Sequence, residues 1–389
     1  MKYQDIHLAD KSLWQQYQQY MQAGQTAQAL ALLENAQLVD KGMTADVFNG
    51  LAAEMVRLEN QGKDSTWSKS VIQMAKRAPA GMQSGDMYFK LLVEQEPLFF
   101  TSDDGTISLA LMSESNPLTK GQSFAISYNG VDWIPYTLGD VITLSNSSNP
   151  RVYFKGDNET VSEQGQAGVQ FKITGNVYAG GSIMSLLRNQ DSVPDSCFRL
   201  LFAGCSSLMT PPNLPASTVG AWGYHNMFSA CTSLDVSQLE LPATTLGQYA
   251  YNYMFANCAF EKAPDLPATN ISQGSYHYMF VGCTNLLQTA EMAATDLPRG
   301  GCNGMYYGCS KLQSATIMAT TFGTSACSSM FKSCYNLSKI RLNYTGNFTS
   351  DIFSNWVQGV KSSGTFYYNG SDTTRGTSAI PTSWTIQKF

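Results

Sequence analysis

The sequence contains little formal charge. Charged residues make up 14% of its 389 positions, against about a quarter in an average globular protein, and the net charge at pH 7 is −5. Lysine and arginine form no run in the chain. A nucleic-acid-binding protein is expected to show clustered basic residues, so the composition argues against nucleic acid as a partner.

Long apolar segments are missing as well. No stretch of about 18 apolar residues offers a membrane-spanning helix. Residues 1–7 contain no apolar core of the kind found in a secretory signal. From these two absences we expect neither a membrane span nor export by the secretory route.

Motifs for catalysis and for cofactors are absent too. The sequence has no Cys-x-x-Cys, His-Glu-x-x-His, Gly-x-Ser-x-Gly, Walker or Gly-x-Gly-x-x-Gly pattern. Of its three histidines, His225 and His277 occupy one position of an internal repeat, which favours a structural role over metal binding. We therefore predict no catalytic, cofactor-binding or metal-binding residues and a protein that is not an enzyme. Paired carboxylates for glycoside hydrolysis, which are assembled in space, leave a carbohydrate-degrading enzyme as a third possibility.

The most informative feature that is present is a repeated phrase ending in cysteine. An apolar residue, an aromatic residue, two variable residues and a cysteine recur at steps of 25 to 27 residues. The aromatic residue is phenylalanine in five of the six copies and tyrosine in the other. The six cysteines are Cys205, Cys231, Cys258, Cys283, Cys309 and Cys334.

A period of this length predicts a solenoid, in which each repeat buries its apolar face against its neighbours. We place a strand after the leucine that follows most of these cysteines, as at Leu337, Ile340 and Leu342. The cysteine phrase then lies on the helical or turn side. A column of cysteines at one repeat position predicts buried thiols, which behave as small apolar groups.

The repeat also carries a family resemblance. Residues 276–286, which read YHYMFVGCTNL, and Leu266-Pro267-Ala268-Thr269 before them closely resemble BspA-type leucine-rich repeats. The resemblance covers roughly residues 197–350. It implies a leucine-rich-repeat solenoid of the kind found in bacterial surface proteins and in virion proteins of phages that infect gut bacteria.

Three further modules are predicted around the solenoid. Residues 1–92 show helical periodicity and predict a helical anchoring and oligomerisation module, with a narrow apolar stripe as its interface. Alternating residues in 93–182 predict an Ig-like β-sandwich. The solenoid is assigned to 183–345 and a C-terminal cap with one helix to 346–389, which makes the fold class multidomain α + β. The stripe consists of Val47, Leu51, Met55 and Leu58.

A candidate binding column lies three residues before the apolar residue of each phrase. Its first members after Phe198 are Tyr224, Tyr251 and Tyr276, and tyrosine is a common residue at interfaces. The alternative is that these rings pack between successive repeats. The sequence leaves both interpretations open.

Taken together, these features predict a structural virion protein of a tailed phage, a fibre or decoration protein in the head or tail. We expect it to be assembled in the host cytoplasm as a dimer or trimer. Residues 1–92 would bind other virion proteins, and the repeats would bind a host-surface protein or glycan. The alternative is a BspA-type adhesin on a bacterial cell surface. No cofactor is expected in either setting.

Overall fold

The structure is a computed structural model that describes residues 96–102, 106–113, 122–145, 151–162, 168–189 and 191–389. It also describes the backbone of three shorter segments, 5–8, 72–74 and 87–91. The chain divides into two compact units, Met1–Gln95 and Glu96–Phe389.

The predicted α + β fold class is wrong, because the described residues are almost entirely β structure. The described segments of the first unit are strands β1 (Asp5–Leu8), β2 (Ile72–Met74) and β3 (Met87–Leu91), which form one antiparallel sheet in the order β1-β3-β2. No helical module is seen among these segments, all three of which lie within 1–92, where helices were expected. The other predicted helices and the stripe of Val47, Leu51, Met55 and Leu58 lie outside the described residues.

The second unit begins with two sheets of alternating strands. The strands are β4 (Leu98–Thr101), β5 (Thr106–Ser113), β6 (Phe124–Ser127), β7 (Ile134–Tyr136), β8 (Ile142–Ser145), β9 (Arg151–Gly156), β10 (Val169–Thr174) and β11 (Val177–Gly180). The strands β10, β5 and β8 form one sheet, and β11, β4, β9, β6 and β7 belong to the other. Inward-facing Phe100 lies 4.8 Å from Phe171 of the opposite sheet, measured between ring centroids, so the apolar face of each sheet is buried against the other.

The solenoid continues directly from these sheets. Strand β12 (Leu208–Thr210), in the first repeat, pairs in parallel with β11 and extends the larger sheet. A 3-10 helix, Ile183–Leu186, connects the two parts and is fully buried. Because the sheets and the repeats share one apolar core, the first repeat has no exposed apolar end.

Each later repeat adds one rung of short parallel strands. One series consists of β13 (Thr218–Val219), β14 (Thr245–Leu246) and β15 (Asn270–Ile271), followed by the pair β16 (Asp296–Leu297) and β18 (Thr321–Phe322). The other is a sheet of β17 (Ser314–Ile317), β19 (Lys339–Leu342), β20 (Thr365–Tyr368) and β21 (Thr385–Gln387). The expected strand after Leu337 is confirmed by β19, in which Ile340 and Leu342 are buried.

The cysteine phrases lie in a ribbon of consecutive tight turns that runs across every rung. In the fourth rung, the amides of His277, Met279 and Val281 donate to carbonyls three residues earlier. The amides that alternate with these, those of Tyr276, Tyr278 and Phe280, donate to carbonyls of the next rung at 2.9 Å. Every amide of this segment therefore has a partner, half within the rung and half between rungs.

The aromatic residues of the phrases form one continuous stack inside the ribbon. Neighbouring rings lie 5.2 to 5.8 Å apart with interplanar angles of at most 13°. The stack consists of Phe171, Phe202, Phe228, Phe255, Phe280, Tyr306 and Phe331, so its first ring comes from strand β10. The sheets thus supply the template on which the first rung packs.

The C-terminal end is closed by a further rung and two strands. The predicted capping helix is only the single turn α1 (Ser350–Phe353). After it the chain forms one more segment of the turn ribbon. The amide of Phe331 donates to the carbonyl of Trp356 at 2.7 Å, and the buried Trp356 ring covers Phe331. Strands β20 and β21 then extend the sheet of β17 and β19 at this end.

Candidate functional site: an aromatic surface on the turn ribbon

The predicted binding column lies inside the solenoid. Tyr224, Tyr251 and Tyr276 are 1%, 2% and 0% exposed. Their rings contact one another between rungs, with centroids 5.7 and 6.0 Å apart. Burial also raises the pKa of all three hydroxyls. The structure thus supports the alternative, packing between rungs, and an accessible site has to be sought elsewhere.

The turn ribbon imposes an unusual backbone conformation at three positions in each of the six cysteine rungs, and at two in the further rung that follows them. These positions are four residues apart and have φ between +51° and +81°, the left-handed region. Equivalent positions of successive rungs form three columns along the ribbon. The third column consists of Gly204, Ala230, Asn257, Gly282, Gly308, Ser333 and Gly359. A residue with a β-carbon pays about 1–2 kcal/mol for this conformation, and glycine does not.

The first two columns hold large aromatic residues in the middle of the solenoid. Trp222 and Tyr249 stand in the first column, and Tyr253 and Tyr278 in the second, with φ between +51° and +58°. The remaining members are Ser196, Gly274, Gly300 and Ser325 in the first column and Leu200, Asn226, Gly304, Ser329 and Asn355 in the second. Bulky side chains are rare at such angles, so some other property of these four rings offsets the cost.

The four rings lie side by side and are partly exposed. Trp222 stacks on Tyr249 with centroids 4.5 Å apart and an angle of 21°. Tyr253 stacks on Tyr278 at 5.1 Å and 7°. We call these four residues, with His225 and His277, the aromatic surface.

Two histidines connect the two stacks. The His277 ring stands edge-on to Tyr249 at 5.8 Å and to Tyr253 at 6.1 Å. Its Nδ1 lies 3.1 Å from Oδ1 of Asn252, and Nδ1 of His225 lies 3.1 Å from the Asn252 carbonyl oxygen. Asn252 occupies the same repeat position in the rung between them, as the sequence indicates.

Both histidines are neutral at physiological pH. Partial burial and, to a smaller extent, the positive Arg199 nearby lower the pKa of His225 to about 4. Burial also lowers the pKa of His277. The aromatic surface therefore carries no formal charge above pH 6.5.

The cysteine column has a different role, which is structural. All nine cysteines are buried, and none forms a disulfide. The thiol of Cys283 donates to the carbonyl oxygen of Phe255 in the preceding rung at 3.0 Å, and the other five column cysteines repeat this bond. Burial raises the pKa of Cys258 to about 12, so the reactive thiolate is suppressed.

A groove with a largely polar lining lies next to the short strands. This groove has a volume of about 450 Å³ and is lined by Lys262, Ala263, Asp265, Gln288, Thr289, Ala290, Glu291, Met292, Ser314, Thr316 and Met318. It mixes one cation with two carboxylates, and none of its residues belongs to the aromatic surface. Its lining indicates no particular chemistry.

The described part of the chain offers neither a metal cluster nor a membrane span. No group of three or more histidine, cysteine or acidic side chains there is placed to hold a metal ion. No helix in the same residues is long and apolar enough to cross a membrane.

Sequence reasoning missed the aromatic surface because its four rings stand at two different offsets in the repeat, each held by an aromatic residue in only two rungs. Trp222 and Tyr249 share one offset, and Tyr253 and Tyr278 share the other. The signal that could have revealed them is the fifth rung, where Gly300, Gly304 and Gly308 follow one another at steps of four. Glycine at a regular spacing marks left-handed positions.

Comparison of the chain with protein-family models, with curated proteins and with solved structures finds no match.

Proposed function

We propose that this protein is a non-enzymatic binding protein, a structural component of a tailed-phage virion whose solenoid attaches to a host surface. The observation that carries the proposal is the placement of Trp222, Tyr249, Tyr253 and Tyr278 at left-handed positions. The fifth and sixth rungs build the same ribbon with glycine and serine at these positions. Strain of this kind is retained where a side chain has a task other than folding.

The molecule's architecture supports such a task. A solenoid presents equivalent positions in rows along an extended surface, and here the rows display aromatic rings with polar edges, a side-chain type that is enriched in interfaces. The N-terminal unit, Met1–Gln95, is compact in its own right. We assign to it the attachment to other virion proteins and the formation of a dimer or trimer.

The virion setting rests on the resemblance of residues 276–286 to BspA-type repeats. The same resemblance supports a second candidate, an adhesin on a bacterial cell surface. The two candidates share the binding role and differ in where the protein is found.

Immunogold electron microscopy with an antibody against the solenoid distinguishes them. We expect labelling at fixed sites on purified phage particles. Labelling of bacterial envelopes, with none on particles, would favour the adhesin. Labelled particles whose adsorption to host cells is not reduced by the antibody would contradict the attachment role.

A further inference from the structure

The aromatic surface also indicates what kind of partner it binds, if the protein has the attachment role proposed above. Three properties matter: which positions the fold leaves free, what charge the surface carries and how the rings are arranged.

The fold does not require the four rings at their positions. Ser325 and Ser329 occupy the equivalent positions of the sixth rung, and Gly300 and Gly304 those of the fifth. The ribbon makes the same backbone bonds in these rungs. The backbone hydrogen bonds of the ribbon therefore do not depend on the rings, and these positions are free to serve recognition.

The surface is uncharged but polar at its edges. Its six side chains are one tryptophan, three tyrosines and two neutral histidines, and the Tyr249 hydroxyl accepts a hydrogen bond from Nε2 of Gln273 at 3.0 Å. Amides of Asn226 and Asn252 lie against the histidine rings. None of the six side chains can form an ion pair that would offset the lost hydration of a charged partner, and the cation near them is Arg199, beside His225.

The rings are arranged along the solenoid. Each stack joins a ring of one rung to a ring of the next, and successive rungs are about 4.8 Å apart, as hydrogen-bonded strands are. The two stacks together span the second to fourth rungs. This arrangement fits an extended chain of similar units better than a single compact ligand.

We infer that the aromatic surface binds a neutral glycan chain that lies along the solenoid axis. A pyranose ring presents C–H groups on its faces and hydroxyl groups at its rim. One face of each aromatic ring is covered by its stacking partner, and the other faces of Tyr249 and Tyr278 lie against Gly274 and Gly304. A sugar face can therefore pack on the outer faces of Trp222 and Tyr253, at the end of each stack, where the π-system is negative. The rim hydroxyls can then exchange hydrogen bonds with the tyrosine hydroxyls and the neighbouring amides.

The test uses the full-length protein and immobilised polysaccharides: neutral dextran, mannan and arabinoxylan, and acidic polygalacturonate and heparin. We expect binding to at least one neutral polysaccharide. The double variant Tyr253→Ser, Tyr278→Ser reproduces the serine of the sixth rung and should weaken that binding at least tenfold with its melting temperature nearly unchanged. If it folds poorly, Tyr253→Gly with Tyr278→Gly, which suits the left-handed backbone, replaces it.

The matched control is Tyr335→Ser, which removes a tyrosine that is 63% exposed and lies outside the aromatic surface. Its binding should equal that of the wild type. The inference is overturned if no neutral polysaccharide is bound, if only the acidic ones are bound, or if the folded double variant binds as tightly as the wild type.

A second measurement separates this inference from the attachment role. Labelled protein is applied to a panel of gut-bacterial strains before and after periodate oxidation, which destroys glycans, or protease treatment. Loss of binding after periodate supports the glycan. Binding that resists periodate but is lost after protease leaves the attachment role standing and overturns the glycan. Binding to no strain contradicts both.

Discussion

The second to fourth rungs and the fifth and sixth rungs build one ribbon from different residues. The first group places Trp222, Tyr249, Tyr253 and Tyr278 at left-handed positions, and the second uses glycine or serine there. Both groups keep the buried aromatic stack and the cysteine column. The comparison distinguishes residues that the fold requires from residues that it tolerates, and this distinction can be tested by mutation.

The largest expected effect comes from a residue that both groups share. Phe255→Ala removes a ring that is fully buried and stacked on Phe228 and Phe280. We expect a loss of about 3–5 kcal/mol in the free energy of unfolding, since a cavity remains in a well-packed core. Chemical denaturation measures it, with Tyr335→Ala as an exposed control. A loss below about 1 kcal/mol would show that the stack does not hold the rungs together.

The next effect concerns the glycines of the fifth rung. Gly304→Ala should cost about 1–3 kcal/mol, because φ is +61° and the new β-carbon would overlap the Tyr278 ring. Gly308→Ala is the matched control, with φ of +76° and no atom closer than 3.8 Å, and should cost only about 1 kcal/mol. Equal losses of unfolding free energy in the two variants would show that the Tyr278 ring moves aside at no cost.

The cysteine column gives a smaller effect. Burial alone predicts that a hydroxyl at position 283 lacks a partner, but the Phe255 carbonyl accepts the Cys283 thiol and would accept a hydroxyl too. We therefore expect Cys283→Ala to cost about 1–2 kcal/mol and Cys283→Ser to cost less. Denaturation of both variants checks the order, and a costlier serine would contradict the role of the hydrogen bond.

The aromatic surface should contribute little to stability. In Tyr253→Gly the loss of a partly exposed ring is offset by relief of the left-handed strain, so the net change should stay within about 1 kcal/mol. The buried neighbour in Tyr251→Gly should cost several times more. Thermal melts of the two variants provide the comparison. Similar losses in both would place Tyr253 among the residues that the fold requires.

The smallest effect depends on pH. The lowered pKa of His225, about 4, means that the unfolded chain takes up this proton first as the pH falls. The contribution of neutral His225 to stability is thus complete above pH 6.5 and is lost as the pH falls to about 4. The other groups that oppose a charge on this ring are Arg199 and, once it is protonated, His277.

His225→Asn tests this dependence, since Asn252 shows that the repeat accepts asparagine there. The variant should lose less melting temperature than the wild type between about pH 7 and about pH 4.5, the range over which the histidine titrates. An unchanged slope would indicate that other groups govern the acid response.

The repeat and its strands could be predicted because they depend on buried residues at a fixed spacing. The six cysteines and their aromatic partners defined the period, and Ile340 and Leu342 marked a strand. Alternation between Leu98 and Ile173 likewise located the strands of the two sheets.

The ribbon and the aromatic surface could not be read in the same way. Their conformation depends on the sign of φ at positions such as Tyr253, and an aromatic side chain predicts the opposite sign. The helix predicted for 346–389 is only one turn long, because the amide of Phe331 donates to the carbonyl of Trp356 and makes the following segment a further rung. The helical period in 1–92 led to the wrong fold class, since periodicity alone does not decide whether a short apolar segment forms a helix or a strand.

The aromatic stack that begins at Phe171 has a consequence for how such a molecule could change its length. Each rung offers the next one the same ring face, the same carbonyl for a thiol and the same row of backbone partners. A duplicated rung inserted between the third and fourth would therefore meet matching neighbours on both sides. The solenoid could lengthen by one rung at a time while the sheets at one end and the closing strands at the other stayed as they are.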